Sequence, residues 1–326
     1  MKTTNWCAVI IRVLSAGCAA GFAAGPAAAQ PFPSKVVRLV VPFPPGGSSD
    51  AVARTLSQPL SQALGQSVVV ENRPGANMII GARLVAHAPA DGHTVLIGGI
   101  VMMAALRSNL PFDPLKDFAA VAGIGTQPYV LSVHPSLPAK SIKELIALAR
   151  ARPGELVYAI NGYGTMQHLS AELLKLRAQI NMKHVAFQGG APSTMAVLGG
   201  HVSILISTIA PMVEHIPTGK LRALAVTSQA RSDVLKDVPT MMESGLPDFD
   251  MTGALGIFAP AATPKEAIDR LSDEIIRVAQ LPEVKARLAM DGYDVAPVGA
   301  GEHDADTRAR IRKIQKLAKA LNIKID

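Results

Sequence analysis

The chain has 326 residues, and 32 Lys and Arg against 25 Asp and Glu give it a formal net charge of +7. Apolar residues make up 49% and charged residues 17%, which excludes a disordered chain, and the 24 prolines exclude a coiled coil. Two cysteines cannot form a disulfide framework. At roughly 100–200 residues per domain, the length predicts two domains. Basic residues form no long run and aromatic residues make up only 4%, so we expect no nucleic-acid partner.

The first 29 residues have the pattern of a secretory signal peptide. Lys2 and Arg12 precede an Ala-rich apolar stretch, and Ala27–Ala29 supply the small residues expected before a cleavage point. Glycines interrupt the stretch, which makes it too short for a membrane span of about 20 residues. Lipidation at Cys18 is the lesser alternative, because the preceding residues match a lipoprotein site poorly. Cleavage after residue 29 would leave an exported chain with a net charge of +5 and no cysteine.

Strands and helices are predicted to alternate along the rest of the chain. The predicted strands are Lys35–Val41, Ser67–Glu71, Thr94–Ile97, Leu156–Ile160, Val202–Ile206 and Arg222–Thr227. The predicted helices are Asp50–Leu64, Ser141–Ala151, one from about Gln167, one from Thr263 to about Gln280, one from Pro282 to Gly292, and the basic amphipathic segment Asp304–Leu321. Two of them open with a capping box, Ser141–Glu144 and Thr263–Glu266. This alternation predicts an α/β protein with mostly parallel sheets.

The segment that joins the first strand to the first helix, VPFPPGGSSD, carries the strongest functional signal. Gly46 and Gly47 let the backbone approach a ligand, and the free amides of the helix start attract an anion. Ser48 and Ser49 add hydroxyl donors, whereas Asp50 is predicted to cap the helix. The alternative is an ordinary strand-to-helix turn with Ser and Asp caps.

A second segment, NGYGTMQHL over residues 161–169, repeats this arrangement in the other half of the chain. His168 within it is more typical of a structural hydrogen bond than of a ligand contact. Two anion-friendly helix starts predict a ligand cleft between two domains. The sequence contains no nucleophile elbow, phosphate loop or His-x-x-x-His pair, so we expect no metal and no cofactor.

Ten longer motifs follow one another along residues 31–326. They are PFPSKVVRLVVPFPPGGSSDAVAR, VVVENRPGA, HAPADGHTVLIG, PFDPLKDFAAVAGI, HPSLPAKSIKELIALARARPGEL, GTMQHLSAELL, GGAPSTMAVLGGHV, GKLRALAVTS, DVPTMMESGLP and GIFAPAATPKEAIDRLSDEI. In this order they resemble the substrate-binding receptors of tripartite tricarboxylate transporters, the Bug-type periplasmic receptors. The resemblance implies a two-lobed periplasmic-binding-protein (Venus-flytrap) architecture that captures a small carboxylate and delivers it to a membrane permease.

The resemblance also implies a domain organisation and a site. Lobe 1 would hold residues 30–128 and 252–326 and lobe 2 residues 129–251, with a hinge at Gln127–Tyr129 and Asp250–Thr252. Each lobe would be a mostly parallel sheet flanked by helices, and the protein a monomer in the periplasm. The expected ligand-binding residues are Phe43, Pro45, Gly46, Gly47, Ser48, Ser49, Tyr163, Gly164, Thr165, Gln167, His168, Gly190, Ala191, Ser207 and Thr208.

Several positions depart from the family pattern by losing polar groups. They are Asn77–Gly81, Gly99–Met103, Ala196, Ser207–Thr208 and Gly253–Ala254. One hypothesis is a ligand with one carboxylate and an apolar or aromatic body, because unpaired polar groups of a citrate-like ligand would cost about 1–3 kcal/mol each. The alternative is that these apolar residues belong to the core beside the cleft. Phe43 and Tyr163 flank the two anion loops and are candidates for the cleft wall.

Two other functions remain open from the sequence. In the first alternative, the protein is a receptor that presents its bound ligand to a sensor protein instead of a permease. The other alternative, an exported hydrolase, would use Ser48 or Thr165 with His168. Neither hydroxyl lies in a nucleophile elbow and no carboxylate is evidently placed to orient His168, so we expect no enzyme.

Overall fold

The computed structural model describes residues 32–107, 109–187 and 189–323. The predicted signal peptide, its cleavage point and the Cys18 lipidation site lie outside these residues. The predicted α/β fold class is confirmed, and the predicted strands and helices are present with ends shifted by a few residues.

One half of the protein, called the first half below, contains a sheet built around β1 from strands within residues 37–128 and 252–299. In spatial order its strands are β2 (Val68–Asn72), β1 (Val37–Val41), β3 (Thr94–Gly98), β9 (Thr252–Pro260), β4 (Phe118–Val133) and β10 (Asp294–Gly299). β1 is parallel to both β2 and β3, as the buried apolar run predicted. β9 is antiparallel to β3 and β4, and β10 is antiparallel to β4. In this sheet the expectation of mostly parallel strands therefore holds only for β1 to β3, because β9 and β10 run in the opposite direction.

The second half builds a smaller sheet in the same way. Its spatial order is β6 (Lys183–Ala186), β5 (Val157–Ile160), β7 (Ile204–Thr208), β4 and β8 (Arg222–Val226). β5 is parallel to β6 and β7, whereas β4 is antiparallel to β7 and β8. Since carboxyl ends of parallel strands share one edge, the segments that follow β5, β6 and β7 lie together.

Strand β4 belongs to both sheets. Its residues Phe118–Pro128 pair with β9, and Tyr129–Val133 pair with β7. The join is fixed by the buried Thr227, whose hydroxyl accepts from the Tyr129 amide at 3.0 Å and donates to the Met251 carbonyl at 2.5 Å. One continuous strand thus connects the two halves.

Nine helices cover the sheets in the described part of the chain. They are α1 (Ser48–Leu64), α2 (Ile79–Ala86), α3 (Val101–Leu106), α4 (Ile142–Ala151), α5 (Met166–Ala178), α6 (Gly190–Leu198), α7 (Lys265–Ala279), α8 (Pro282–Met290) and α9 (Ala300–Ala320). The predicted spacing-four face of α1 is buried, with Val52, Leu56 and Leu60 in the core of the first sheet. Among the described residues, no helix has the length and apolarity that crossing a membrane requires.

One predicted capping box is confirmed and the other is wrong. The Ser141 hydroxyl accepts from the Glu144 amide, and the Glu144 carboxylate accepts from the Lys140 amide at 2.7 Å. The second box fails because α7 begins one residue later than expected. Pro264 occupies the N-cap position with an extended backbone, so the buried Thr263 hydroxyl makes no capping bond.

Helix α9 packs against both halves. Its buried His303 lies beside Phe258 of β9. Further along, Ile311 and Ile314 belong to the core cluster that contains Leu131 and Leu169 of the second half. The helix contacts both cores because an amphipathic helix of 21 residues is long enough to reach from one core to the neighbouring one.

His303 makes the stability of the fold sensitive to acid. Burial lowers its pKa to about 4, and its Nε2 atom has no hydrogen-bond partner among the described residues. Between about pH 6.5 and pH 4, the His303 imidazole therefore binds a proton in the unfolded chain but not in the folded chain. We expect the free energy of unfolding to fall as pH drops through this window, by about 1.4 kcal/mol per pH unit for this group.

Urea denaturation at pH 7, 6 and 5 measures this effect in the wild type and in His303→Leu. The variant should lose less stability on acidification, and replacement of the exposed His87 by Gln should leave the wild-type pH dependence unchanged. Equal pH dependence in wild type and His303→Leu would contradict a neutral, buried imidazole.

Candidate functional site

Hydrogen bonds to the carboxylate of Asp50, in the first turn of α1, hold the loop between β1 and α1. This carboxylate accepts from the Gly46 amide at 2.9 Å, from Arg54 Nε at 3.0 Å and from Asn72 Nδ2 at 2.9 Å. Burial alone would raise the pKa of Asp50, but these hydrogen bonds outweigh it and lower the pKa. The expected helix cap is thus corrected: the carboxylate fixes the turn before α1, where Gly46 adopts a left-handed φ of 84°.

The residues of this first loop differ in what they face. Pro45 and Gly47 are exposed, and the half-buried Phe43 packs against the core of the first sheet. The Ser49 side chain is within hydrogen-bonding reach of Tyr293, a phenol whose pKa is raised by burial. Phe43 therefore supports the loop from the core side, and Ser49 is engaged within the first half.

The loop between β5 and α5 is organised by Thr165. The Thr165 hydroxyl donates to the Gly162 carbonyl at 2.9 Å and accepts from the His168 amide at 3.3 Å, so it caps α5. The Gly164 amide donates to His168 Nδ1 at 3.3 Å. The Thr165 hydroxyl is therefore committed to the helix start, which also leaves it poorly placed as a nucleophile.

Tyr163 is the residue of this loop that reaches furthest into solvent, with 54% of its surface exposed. Its ring stands edge-on to His168, with centroids 5.8 Å apart. Gln167 and His168 are both buried under the loop in the first turn of α5. The loop thus has an aromatic outer face and a buried polar support.

A third group of polar residues lies where β6 and β7 end. The Asn161 amide donates to the buried Ser207 hydroxyl at 2.9 Å, and the Ser193 hydroxyl donates to Asn161 Oδ1 at 2.6 Å. Gly190 packs so closely that an added Cβ would lie 3.2 Å from Ser207 Oγ. Ala191 is exposed on the first turn of α6.

Around the two predicted loops, hydrogen bonds between described residues connect segments of the two halves. Ser48 Oγ donates to Thr208 Oγ1 at 3.3 Å, across 160 residues of sequence. Asn77 Nδ2 donates to the Tyr163 carbonyl at 3.0 Å. The structure therefore brings the two predicted anion loops to one place, together with the end of β7.

The gathered elements share one chemical property. Helices α1, α5 and α6 all begin here, and each helix start carries free amides and a partial positive charge. The Ser48 hydroxyl at the start of α1 is bonded to the Thr208 hydroxyl at the end of β7. Such an arrangement can hold a carboxylate without a cationic side chain.

The apolar departures from the family pattern lie mostly in the core. Ile100, Val101 and Met103 are at most 6% exposed, and Ile79 packs against the same core region. Ile80 is the exception, with 46% of its surface exposed. For the segment Gly99–Met103, the structure therefore agrees with the alternative of core packing beside the cleft.

Three polar residues of this site were missing from the expected set. Asn161 was within the recognised motif, and its position directly after a strand was the available signal. Asn77 stands in a segment read only for its apolar neighbours, and Ser193 lies on α6, away from the loops. Their partners are distant in sequence, so spacing carried no information on them.

Comparison with known proteins identifies the family. The model of the tripartite tricarboxylate transporter family receptor matches residues 52–323. The chain belongs to this family of periplasmic solute-binding receptors, which is not a family of enzymes. The resemblance found in the sequence and the periplasmic-binding-protein fold class are confirmed.

Individual relatives agree with this placement. BugT of Bordetella pertussis is 37% identical over 297 residues, which cover 90% of either chain. A solved structure of an R. palustris protein with adipate is 32% identical with a TM-score of 0.85, and the match covers 90% of this chain and 99% of that one. MatC of Rhodopseudomonas palustris with bound malate is 30% identical with a TM-score of 0.79, over 88% and 99% of the two chains.

The capping role of Thr165 predicts how its variants behave. Thr165→Ala should lower the free energy of unfolding by about 1 kcal/mol, because an N-cap hydroxyl is lost. Thr165→Ser keeps the hydroxyl and should stay within a few tenths of a kcal/mol of the wild type. Urea denaturation of the ligand-free protein measures both, and equal stability of all three proteins would contradict the capping role.

Proposed function

We propose that this protein captures a small carboxylate between two lobes and delivers it to a permease of the tripartite tricarboxylate type. The lobes are residues 30–128 with 252–326 and residues 129–251, and part of α9 also packs against the core of the second lobe. The hinge lies at Gln127–Tyr129 and Asp250–Thr252, and the leader 1–29 is removed on export to the periplasm. The protein acts as a monomer.

One observation carries the proposal. Segments from both halves meet at two contacts: Ser48 at the start of α1 bonds Thr208 at the end of β7, and Asn77 before α2 bonds the Tyr163 carbonyl in the loop before α5. Amides at helix starts are suited to a carboxylate, and a site that needs amides from both halves is completed only when the halves approach each other. Capture and closure are then one event.

The same geometry favours a ligand with a carboxylate at each end. The first half contributes one helix start, that of α1, and the second half contributes two, those of α5 and α6, so the site offers more than one amide group to an anionic ligand. Relatives in solved structures carry adipate and malate, both dicarboxylates. The hypothesis of one carboxylate on an apolar body loses the support of the buried segment Gly99–Met103, and keeps only the exposed Ile80 and Tyr163.

A thermal-shift panel of adipate, malate and benzoate tests the ligand class. A dicarboxylate at 100 times its Kd should stabilise the wild type by about 2.7 kcal/mol, because it binds only the folded state. Stabilisation by benzoate alone would contradict the dicarboxylate proposal and restore the apolar-body hypothesis. Absence of any shift would contradict carboxylate capture by these loops.

Substitution of Ser48 tests the site itself. Ser48→Ala should weaken the binding of the stabilising dicarboxylate by about tenfold, because a hydrogen bond to a charged group is lost. Ser57→Ala on the same helix is the matched control, since the Ser57 hydroxyl donates to the helix's own Arg54 carbonyl. Isothermal titration calorimetry measures both, and equal affinity of Ser48→Ala and wild type would remove Ser48 from the site.

A further inference from the structure

A cluster of polar and aromatic side chains lies beneath the loop between β5 and α5. At its centre, Glu172 accepts from the Tyr158 hydroxyl at 2.5 Å and from Lys175 Nζ at 2.9 Å through each oxygen. Its Oε1 atom is 3.9 Å from His168 Nε2 and 4.0 Å from His184 Nδ1. The absence of a carboxylate near His168, expected from the sequence, is thus corrected, because Glu172 follows it by one helical turn.

Glu172 keeps its charge in this half-buried position. Burial alone would raise its pKa, but the hydrogen bonds from Tyr158 and Lys175 outweigh burial and lower the pKa. Burial lowers the pKa of His168, and the charge of Glu172 opposes that shift. An ionised carboxylate therefore faces an imidazole that is neutral at physiological pH.

The proton of this neutral imidazole has one favourable position. His168 Nδ1 accepts the Gly164 amide, so the ring proton must be on Nε2. Nε2 is the nitrogen that faces the Glu172 carboxylate, and a negative charge at 3.9 Å stabilises an N–H that points toward it. The charge of Glu172 thus selects the tautomer that can hold the Gly164 amide.

The Gly164 amide matters because few other hydrogen bonds from the described residues hold this loop. Gly162 and Gly164 both have left-handed φ values, 128° and 68°. Glycine has the largest backbone conformational freedom of all residues, so this loop needs contacts that hold it in one conformation. Besides Gly164–His168, the loop is held by Thr165 to Gly162 and by Asn77 to Tyr163. Tyr163 also rests edge-on against His184, with centroids 5.3 Å apart.

We propose that Glu172 is a positioning residue of the carboxylate site, which acts through His168 to hold the Gly162–Thr165 loop in its binding conformation. The inference rests on the proposed function for its effect on affinity. The alternative for the same side chains is a divalent metal site, because the donor atoms of His168, Glu172 and His184 all lie within 4.8 Å of one another. The geometry favours positioning: both Glu172 oxygens already accept from Lys175, and the bond from the Gly164 amide to Nδ1 assigns the His168 proton to Nε2.

Glu172→Gln tests the proposal, since it removes the charge and keeps the shape. In the ligand-free variant, hydrogen exchange of the Gly164 amide should become about tenfold faster, as expected for one lost hydrogen bond. The ¹⁵N shifts of His168 should change from a single Nε2–H tautomer to a mixture. Adipate affinity, measured by calorimetry, should fall by about tenfold.

Two further variants control for charge and folding. Glu155→Gln removes a carboxylate from an exposed position of the same half and should leave Gly164 exchange and adipate affinity unchanged. The double variant Glu172→Gln, Lys175→Met removes the ammonium left without its partner. It should keep a wild-type melting temperature and still show the faster Gly164 exchange.

Unchanged Gly164 exchange and His168 tautomer in folded Glu172→Gln would overturn the proposal. Zinc chloride that raises the melting temperature of the wild type but not of His184→Ala would also overturn it, in favour of a metal site. Failure of adipate to bind the wild type would count against the proposed ligand class alone. In that case the ligand-free exchange of Gly164 still decides the role of Glu172.

Discussion

The fold depends on the continuity of β4 through both sheets. Its 16 residues pair with β9 on one side of Pro128 and with β7 on the other. Thr227 joins β4 to the start of β9 through a fully buried hydroxyl. Hydrogen bonds that are shielded from water therefore hold β4 where it passes from one sheet to the other. Strand β4 fixes the relative position of the two groups of parallel strands. The edges of these two groups carry the candidate ligand loops.

The site that we propose needs no cationic side chain to bind an anion. The anion donors that we propose are backbone amides at three helix starts together with the Ser48 and Thr208 hydroxyls, and the nearby Arg54 is already bound to Asp50. The positive net charge of the chain therefore says little about what it binds. Recognition by oriented amides also explains why the loops need glycine: a ligand can approach the backbone only where no Cβ intervenes.

Local features of this structure were predictable from the sequence. The β-branched run before the first loop and the spacing-four pattern after it specify β1 and α1, because burial periodicity is a local property. The resemblance to a family then supplied the two-lobed class. Glu172 was also within reach of a sequence argument, since residues four apart on a helix face one another.

Other features depend on contacts that no local pattern encodes. The Ser48–Thr208 bond joins residues 160 positions apart, and His184 reaches Glu172 from a neighbouring strand. The capping pattern at Thr263 was misleading because Pro264, with its extended backbone, takes the N-cap position of α7. The Thr263 hydroxyl therefore makes no capping bond. The path of α9 into the second core follows from helix length and packing, which only the assembled sheets determine.

Amide chemical shifts during a titration with adipate test most directly whether both halves supply the site. If three helix starts hold the carboxylates, the largest shifts should occur at Gly46–Ser49, at Gly164–Met166 and at Gly190–Ala191, and all should saturate with one Kd. Shifts confined to one of these segments, or to residues outside all three, would contradict a carboxylate site built from opposed helix starts.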